Sequence, residues 1–241
     1  MKHYLLRNSP LLFIGLWLLS TAALASPTLP IDNDGLDERL QACAACHGER
    51  GHSDDESYYP SIAGKPAGYV FKQLQNFRAG RRHNDIMQKM LANLSDEYMH
   101  EIAAYYAAEP IQISNGRGAS DTLLTPSQTQ HAEKLVEQGD EARQLPACSS
   151  CHGDNLAGIA PNIPGLLGLP EAYIQSQLGA WRVGGRNALA PDCMQTVAKA
   201  LTAAEITAIA GWIARQPIPE NSRPAPPSNK KLPLDCVAAQ S

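Results

Sequence analysis

The 241-residue sequence predicts an all-α chain of two tandem domains related by internal duplication, and three observations carry that reading. The pentapeptide C-x-x-C-H occurs twice, as Cys43-Ala44-Ala45-Cys46-His47 and Cys148-Ser149-Ser150-Cys151-His152, 105 residues apart. Each copy is followed by apolar residues at helical spacing, Val70, Leu74 and Phe77 in one half and Ile174, Leu178 and Trp181 in the other. No strand alternation surrounds either motif.

The motif itself defines a chemistry. Its two thiols can add across the vinyl groups of a haem, and the adjacent histidine then lies under the iron as an axial ligand. A four-cysteine zinc site would want its cysteine pairs roughly 15–20 residues apart, with no histidine after each. A thioredoxin-like redox pair would lie near a βαβ pattern. The motif in duplicate therefore predicts two covalently bound haem c groups, at Cys43 and Cys46 and at Cys148 and Cys151, with His47 and His152 on the irons.

Ahead of the first motif, residues 1–25 read as a signal peptide. Lys2 and Arg7 form the basic start, Leu11 to Leu19 the apolar stretch, and Ala23-Leu24-Ala25 the cleavage site. The apolar stretch is short of the roughly 20 residues that span a bilayer. Export to the periplasm with cleavage after Ala25 is expected, and a retained leader would instead act as an anchor. Cleavage takes the net charge from −4 to −6, which argues against nucleic acid as a partner. Two domains of this size have modest apolar cores, so each porphyrin would serve as part of its own core.

The expected domains are 26–108, a linker at 109–124 rich in Pro, Gly, Ser and Asn, a second domain at 125–216, and a proline-rich tail at 217–241. A helix beginning near Asp34 runs into Cys43. Its partner in the second half has Thr125 as N-cap, Pro126 at the first position, Gln128 at the third and Gly139 as stop. Pro60-Ser61-Ile62-Ala63-Gly64 matches Pro161-Asn162-Ile163-Pro164-Gly165, and each following helix ends in a turn, Gly80-Arg81-Arg82 or Gly184-Gly185-Arg186. Terminal helices follow at Ser95–Ala107 and Thr202–Ala214, the second with a Thr202/Glu205 capping box.

Methionine at a haem's sixth position raises the potential and closes the site. With Leu94 set on Leu201, Met90 falls on Val197 and Met99 on Ile206, whereas Met87 falls beside Met194. Both of these precede their leucine by seven residues, in the turn before the terminal helix. Met87 and Met194 are the candidate sixth ligands, with core filling as the alternative. His83 and Met90 stay open as substitutes in the first half, Cys193 and a few lysines in the second. His52, His100 and His131 read as solvated surface groups. Arg82 and Arg186 each precede their methionine and are candidate propionate partners, an exposed arginine being the alternative. Asp54-Asp55-Glu56 is either a steering patch for a basic partner or a solvated loop.

Together, C-x-x-C-H-G, P-x-I-x-G, Tyr69 with Gln73-Leu74, the Gly/Arg turn, the methionine and Leu94-Ser95-Asp96-Glu97 before a helix ending Ala-Ala-Tyr-Tyr resemble the di-haem cytochrome c4 family over roughly residues 34–215. The resemblance implies two tandem class I cytochrome c domains whose haems meet near the domain interface by their propionate edges. It implies Cys43, Cys46, His47 and Met87 for one haem and Cys148, Cys151, His152 and Met194 for the other. It also implies that Pro60 and Pro161 offer carbonyls to the second ring nitrogens of the histidines.

The expected function is electron carriage from a respiratory complex or dehydrogenase to a terminal oxidase or reductase, with peripheral membrane association left open. A di-haem peroxidase-type enzyme, with an open iron and acid-base groups, and a haem-based sensor are the alternatives. Two features depart from the family. Cys193 and Cys236 are additional cysteines, a disulfide candidate in an oxidising compartment. The tail from Pro217 extends past the final helix and resembles di-haem cytochromes associated with particular dehydrogenases.

Overall fold

In a computed structural model, residues 35–53, 59–111, 122–219 and 222–239 are described. The leader, the acidic triplet at 54–56 and most of the linker lie outside them. The remainder belongs to one compact unit, Asp34–Ser241, and within it two apolar clusters form.

Around the first cluster, α1 (Leu36–Arg39) and α2 (Gln41–His47) are separated only by Leu40, whose ψ of 0° opens the turn. The single helix expected to run into Cys43 is thus a bent pair that carries on through His47. Leu36 and Leu40 are both buried. The amphipathic α3 (Ala67–Arg78) buries Val70 and Leu74 and crosses α5 (Asp96–Ala108), which buries Met99, Ile102 and Tyr106. Between them lies α4 (Asp85–Leu91), which contributes Leu91. Ser95 caps α5 by accepting from the Tyr98 N–H.

Around the second cluster, α6 (Pro126–Glu137) begins at Thr125 with a complete capping box to Gln128. A four-residue turn, α7 (Ser149–His152), carries the second motif. A small antiparallel pair follows, β1 (Gly158–Ile159) with β2 (Ile163–Pro164). Then α8 (Glu171–Val183) ends on a left-handed Gly184, and α9 (Cys193–Ala200) and α10 (Ala203–Ala214) complete the set. The most apolar helix is α10, which buries Ile206, Ile209 and Ile213 against α6 and α8.

The two clusters meet through matching backbone. His83 N–H donates to Gly185 O at 3.0 Å and Asn187 N–H to Arg81 O at 2.7 Å, an antiparallel bridge centred on Arg82 and Arg186. Each Gly/Arg turn therefore serves the other half as well as its own.

Candidate functional site

Both C-x-x-C-H motifs lie on helical turns, where residues three apart share a face, so each thiol pair points one way with its histidine at the helix end. The glycine after each histidine has positive φ, 77° at Gly48 and 86° at Gly153, and a Cβ at Gly48 would sit 1.9 Å from His52 O. The chain can reverse there only without a side chain. His47 Nδ1–H donates to Pro60 O at 2.9 Å, and His152 Nδ1–H to Pro164 O at 2.8 Å. Burial holds both histidines below their ordinary value of 6.5, against the proline carbonyls, with Arg82 adding to the effect at His47. Each ring is thereby neutral, fixed in one tautomer, and left with Nε2 as a free donor for a metal.

The second acceptor is Pro164, which corrects the expectation of Pro161. Pro161 lies in the turn between β1 and β2, where its carbonyl accepts from Tyr69 N–H at 3.2 Å and adjacent Asn162 Oδ1 accepts from Lys72 Nζ at 3.0 Å. Only where β2 ends does the chain return to His152. The segment that parallels Pro60–Gly64 is accordingly Pro164-Gly165-Leu166-Leu167-Gly168. Ile62 N–H donates to Gly51 O and Leu166 N–H to Leu156 O, Gly64 and Gly168 both have positive φ, and Pro66 and Pro170 precede α3 and α8.

Beside the second motif opens an apolar cleft of about 1500 Å³, its mouth included, touched by Cys148, Cys151, His152, Met194, Trp181 and Arg186. Burial pushes the Cys148 thiol up to about 12, so this cysteine is kept from the thiolate form. The buried indole N–H of Trp181 has no acceptor among the described residues.

Met87 and Met194 lie within helices, not in the turns expected for them. Asn84 caps α4 by accepting from Met87 N–H at 3.0 Å, and Asp192 caps α9 by accepting from Met194 N–H at 3.1 Å and Gln195 N–H at 3.2 Å. Capping is what fixes the first turn of so short a helix, and hence the methionine on it. Both methionines are half-buried against their own apolar cluster. Of the two substitutes, Met90 is 43% exposed and the His83 side chain is 71% exposed beside Asp85, while Met99 is fully buried in the core as its register predicts. Of the other histidines, His100 stacks on Phe71, His131 pairs with Glu205, and His52 is half-buried, not the surface group expected.

Arg82 and Arg186 are not exposed. Arg82 donates to Gln73 Oε1 (3.0 Å), Gln177 Oε1 (2.7 Å) and Tyr173 Oη (3.3 Å), while Arg186 donates to Gln177 Oε1 (2.6 Å), Gln73 Oε1 (3.0 Å) and Tyr69 Oη (3.3 Å). Arg82 lies over Phe77 at 4.5 Å and Arg186 over Trp181 at 3.6 Å. Among the described residues neither guanidinium has a carboxylate partner, although Arg186 is only 4% exposed. Burial opposes ionisation of Tyr69, yet Arg186 and then Arg82 draw its phenol down to about 8. Two cations held together in this way call for an anion. The Tyr-x-x-x-Gln spacing of Tyr69/Gln73 and Tyr173/Gln177 recurs in the sequence and was a legible sign of this arrangement.

Cys193 and Cys236 are joined by a disulfide. It ties the end of the tail to the residue before Met194.

An apolar slot walled by paired thiols, a neutral histidine and a methionine, with an unpaired indole N–H and a buried arginine at its edge, fits a flat macrocycle bearing carboxylates. Comparison with known proteins agrees. Residues 136–216 match the family model for cytochrome c. The chain is 35% identical over 206 residues to the thiosulfate dehydrogenase electron acceptor of Stutzerimonas stutzeri, covering 85% of this chain and 93% of that one. It is 34% identical to the cytochrome c4 of Pseudomonas aeruginosa, over 73% and 84% of the two chains.

Among solved structures, cytochrome c4 from Pseudomonas stutzeri superposes with a TM-score of 0.62 at 31% identity, over 76% and 97% of the chains. The thiosulfate dehydrogenase of Marichromatium purpuratum superposes with a TM-score of 0.65 at 33% identity, over 76% of this chain but only 39% of that longer one. The chain belongs to the di-haem cytochrome c4 family, an electron carrier and not an enzyme, with covalently bound haem c as its cofactor.

Proposed function

We propose that the chain is a tandem di-haem carrier, exported to the periplasm, which takes electrons from a dehydrogenase of the thiosulfate-oxidising kind and passes them to a respiratory oxidase or reductase. The observation that carries the reading is the repeated tie between a motif histidine and a proline carbonyl, at His47–Pro60 and His152–Pro164. It prepares two separate Nε2 atoms for iron in one chain. In this reading Cys43 and Cys46, and Cys148 and Cys151, hold the two groups by thioether bonds. His47 with Met87, and His152 with Met194, would hold the two irons. The parallel order of elements in the two halves supports their origin by duplication, in domains at 26–108 and 125–216.

Haem c supplies a one-electron iron couple. Around it the chain's own residues do the rest. Asn84 and Asp192 hold the methionine helices, the proline carbonyls hold the histidine rings, and Leu178, Val197 and Ile209 line the cleft with apolar surface. Arg82 and Arg186, which have no carboxylate partner among the described residues, would pair with propionates of the bound groups. Residues held in this way would need little rearrangement on electron transfer.

The choice of donor rests on the relatives from Stutzerimonas stutzeri and Thiomonas intermedia named as thiosulfate dehydrogenase electron acceptors. The test is to mix oxidised holoprotein with thiosulfate and a thiosulfate dehydrogenase and follow the visible haem band. Reduction at a rate that rises with dehydrogenase concentration supports the donor. Absence of reduction in a preparation that ascorbate still reduces overturns it.

A further inference from the structure

We propose that tail residues 222–239 form a fixed lid over the second haem site, so that protein partners exchange electrons at the first. The proposal rests on the two-haem reading above. Residues 231–236 alternate strictly, with Lys231, Pro233 and Asp235 exposed and Leu232, Leu234 and Cys236 turned inward. That two-residue period is what an extended segment shows when one face is covered. The inward residues touch the same cleft as Cys148, Cys151, His152 and Met194.

Both ends of the segment are fastened. At its start Ala225 pairs with β1 and the residue after it: Ala225 N–H donates to Gly158 O at 2.9 Å, and Ala160 N–H to Ala225 O at 2.8 Å. At its end Cys236 is bonded to Cys193, and Val237 N–H donates to Pro191 O at 3.3 Å. The wall of the second cleft is therefore completed by a segment far in sequence from the motif that needs it.

The first motif is covered differently. Gln41, Ala42 and Ala45 around Cys43 are exposed, whereas no residue from Ala147 to Cys151 is. Among the described residues the tail reaches the second site through Leu232, Leu234, Cys236 and Ala239. Among the described residues the tail lays no such cover over the first motif, so a partner protein approaches the first thioether edge. At the second it meets the lid, and its electron has to pass by way of the first site.

The test uses the ferric holoprotein and a neutral, soluble gadolinium chelate, which broadens the hyperfine-shifted methyl signals of any haem it can approach. Signals of the second haem are identified by Overhauser contacts to the Trp181 ring. In the unaltered chain the chelate should broaden the other set several-fold more than this one. In the full-length variant Leu232→Ser/Leu234→Ser/Cys236→Ser the two sets should broaden alike. Cys236→Ser alone, which frees the tail's end and keeps both leucines, should fall between. Equal broadening in the unaltered chain, or second-set signals unchanged in both variants, overturns the lid. Intact mass is read on each sample, and a mass short of two haems overturns the cofactor reading on which the lid depends.

Discussion

Replacing Arg186 with methionine separates two views of the interface by the sign of the effect. The side chain is 4% exposed, makes hydrogen bonds of 2.6, 3.0 and 3.3 Å to neutral acceptors, and stacks on Trp181. If Arg82 and Arg186 have only each other and these neutral groups, Arg186→Met removes a like-charge repulsion inside the fold and the protein gains stability. If they pair with propionates, the same change leaves a buried carboxylate without its cation, at a cost of about 3–5 kcal/mol. It also removes a positive charge that favours the reduced iron. At about 10 Å and an effective dielectric of about 20, that charge is worth about 1.7 kcal/mol, or about 70 mV for a one-electron couple. We expect one of the two potentials to fall by tens of millivolts and the guanidinium midpoint to drop. Spectroelectrochemical titration and denaturation of the same samples measure both. Unchanged potentials together with a raised midpoint would refute the propionate assignment.

Met87→Ala and Met194→Ala should each remove about half of the weak far-red methionine-to-iron absorption of the ferric protein. If Met90→Ala halves it instead, the assignment in the first half is wrong. Cys236→Ser opens a loop of 43 residues, and chain entropy sets the loss at up to about 4 kcal/mol. Equal denaturation midpoints for variant and wild type would show that the bond contributes nothing to stability. Glu205 closes the α10 capping box and is held by Arg143 and His131. Burial opposes its ionisation, but these partners bring the carboxyl from its ordinary 4.5 down to about 2. A depressed carboxyl stabilises the fold fully above its unfolded value and loses that contribution as pH falls through the folded one. Glu205→Gln should therefore lower stability by about 1–2 kcal/mol at neutral pH. The gap in melting temperature should shrink between about pH 4.5 and pH 2 and be absent below. A gap independent of pH would mean that the carboxylate's charge is not what acts.

The helices were legible because their signals are local. Thr125 with Gln128, Ser95 and Thr202 with Glu205 mark helix starts that the structure places within a residue of the expected positions. The thiol and histidine positions were legible for the same reason, since a five-residue motif carries its own geometry. What failed depended on the path of irregular chain. Pro161-Asn162-Ile163-Pro164-Gly165 looks more like Pro60–Gly64 than Pro164–Gly168 does, yet the β1–β2 hairpin carries Pro161 away to Tyr69 and brings Pro164 back to His152. Letter similarity chose the wrong proline because the acceptor is selected by where the chain returns.

A spacing argument would have chosen correctly. Pro66 and Pro170 begin α3 and α8 and are 104 residues apart, as are Val70 and Ile174, Arg82 and Arg186, and Pro60 and Pro164. The pair Pro60 and Pro161 breaks that interval. Rigid helix starts thus fix the register of the loop that precedes them, because the turn must deliver one proline to the histidine and the next to the helix cap. The tail shows the opposite limit. Its composition reads only as a proline-rich tail, and the alternation of Leu232, Leu234 and Cys236 covers too few residues to predict a strand. Only its two fastenings, one through backbone to β1 and one through sulfur to α9, give that alternation a surface to cover.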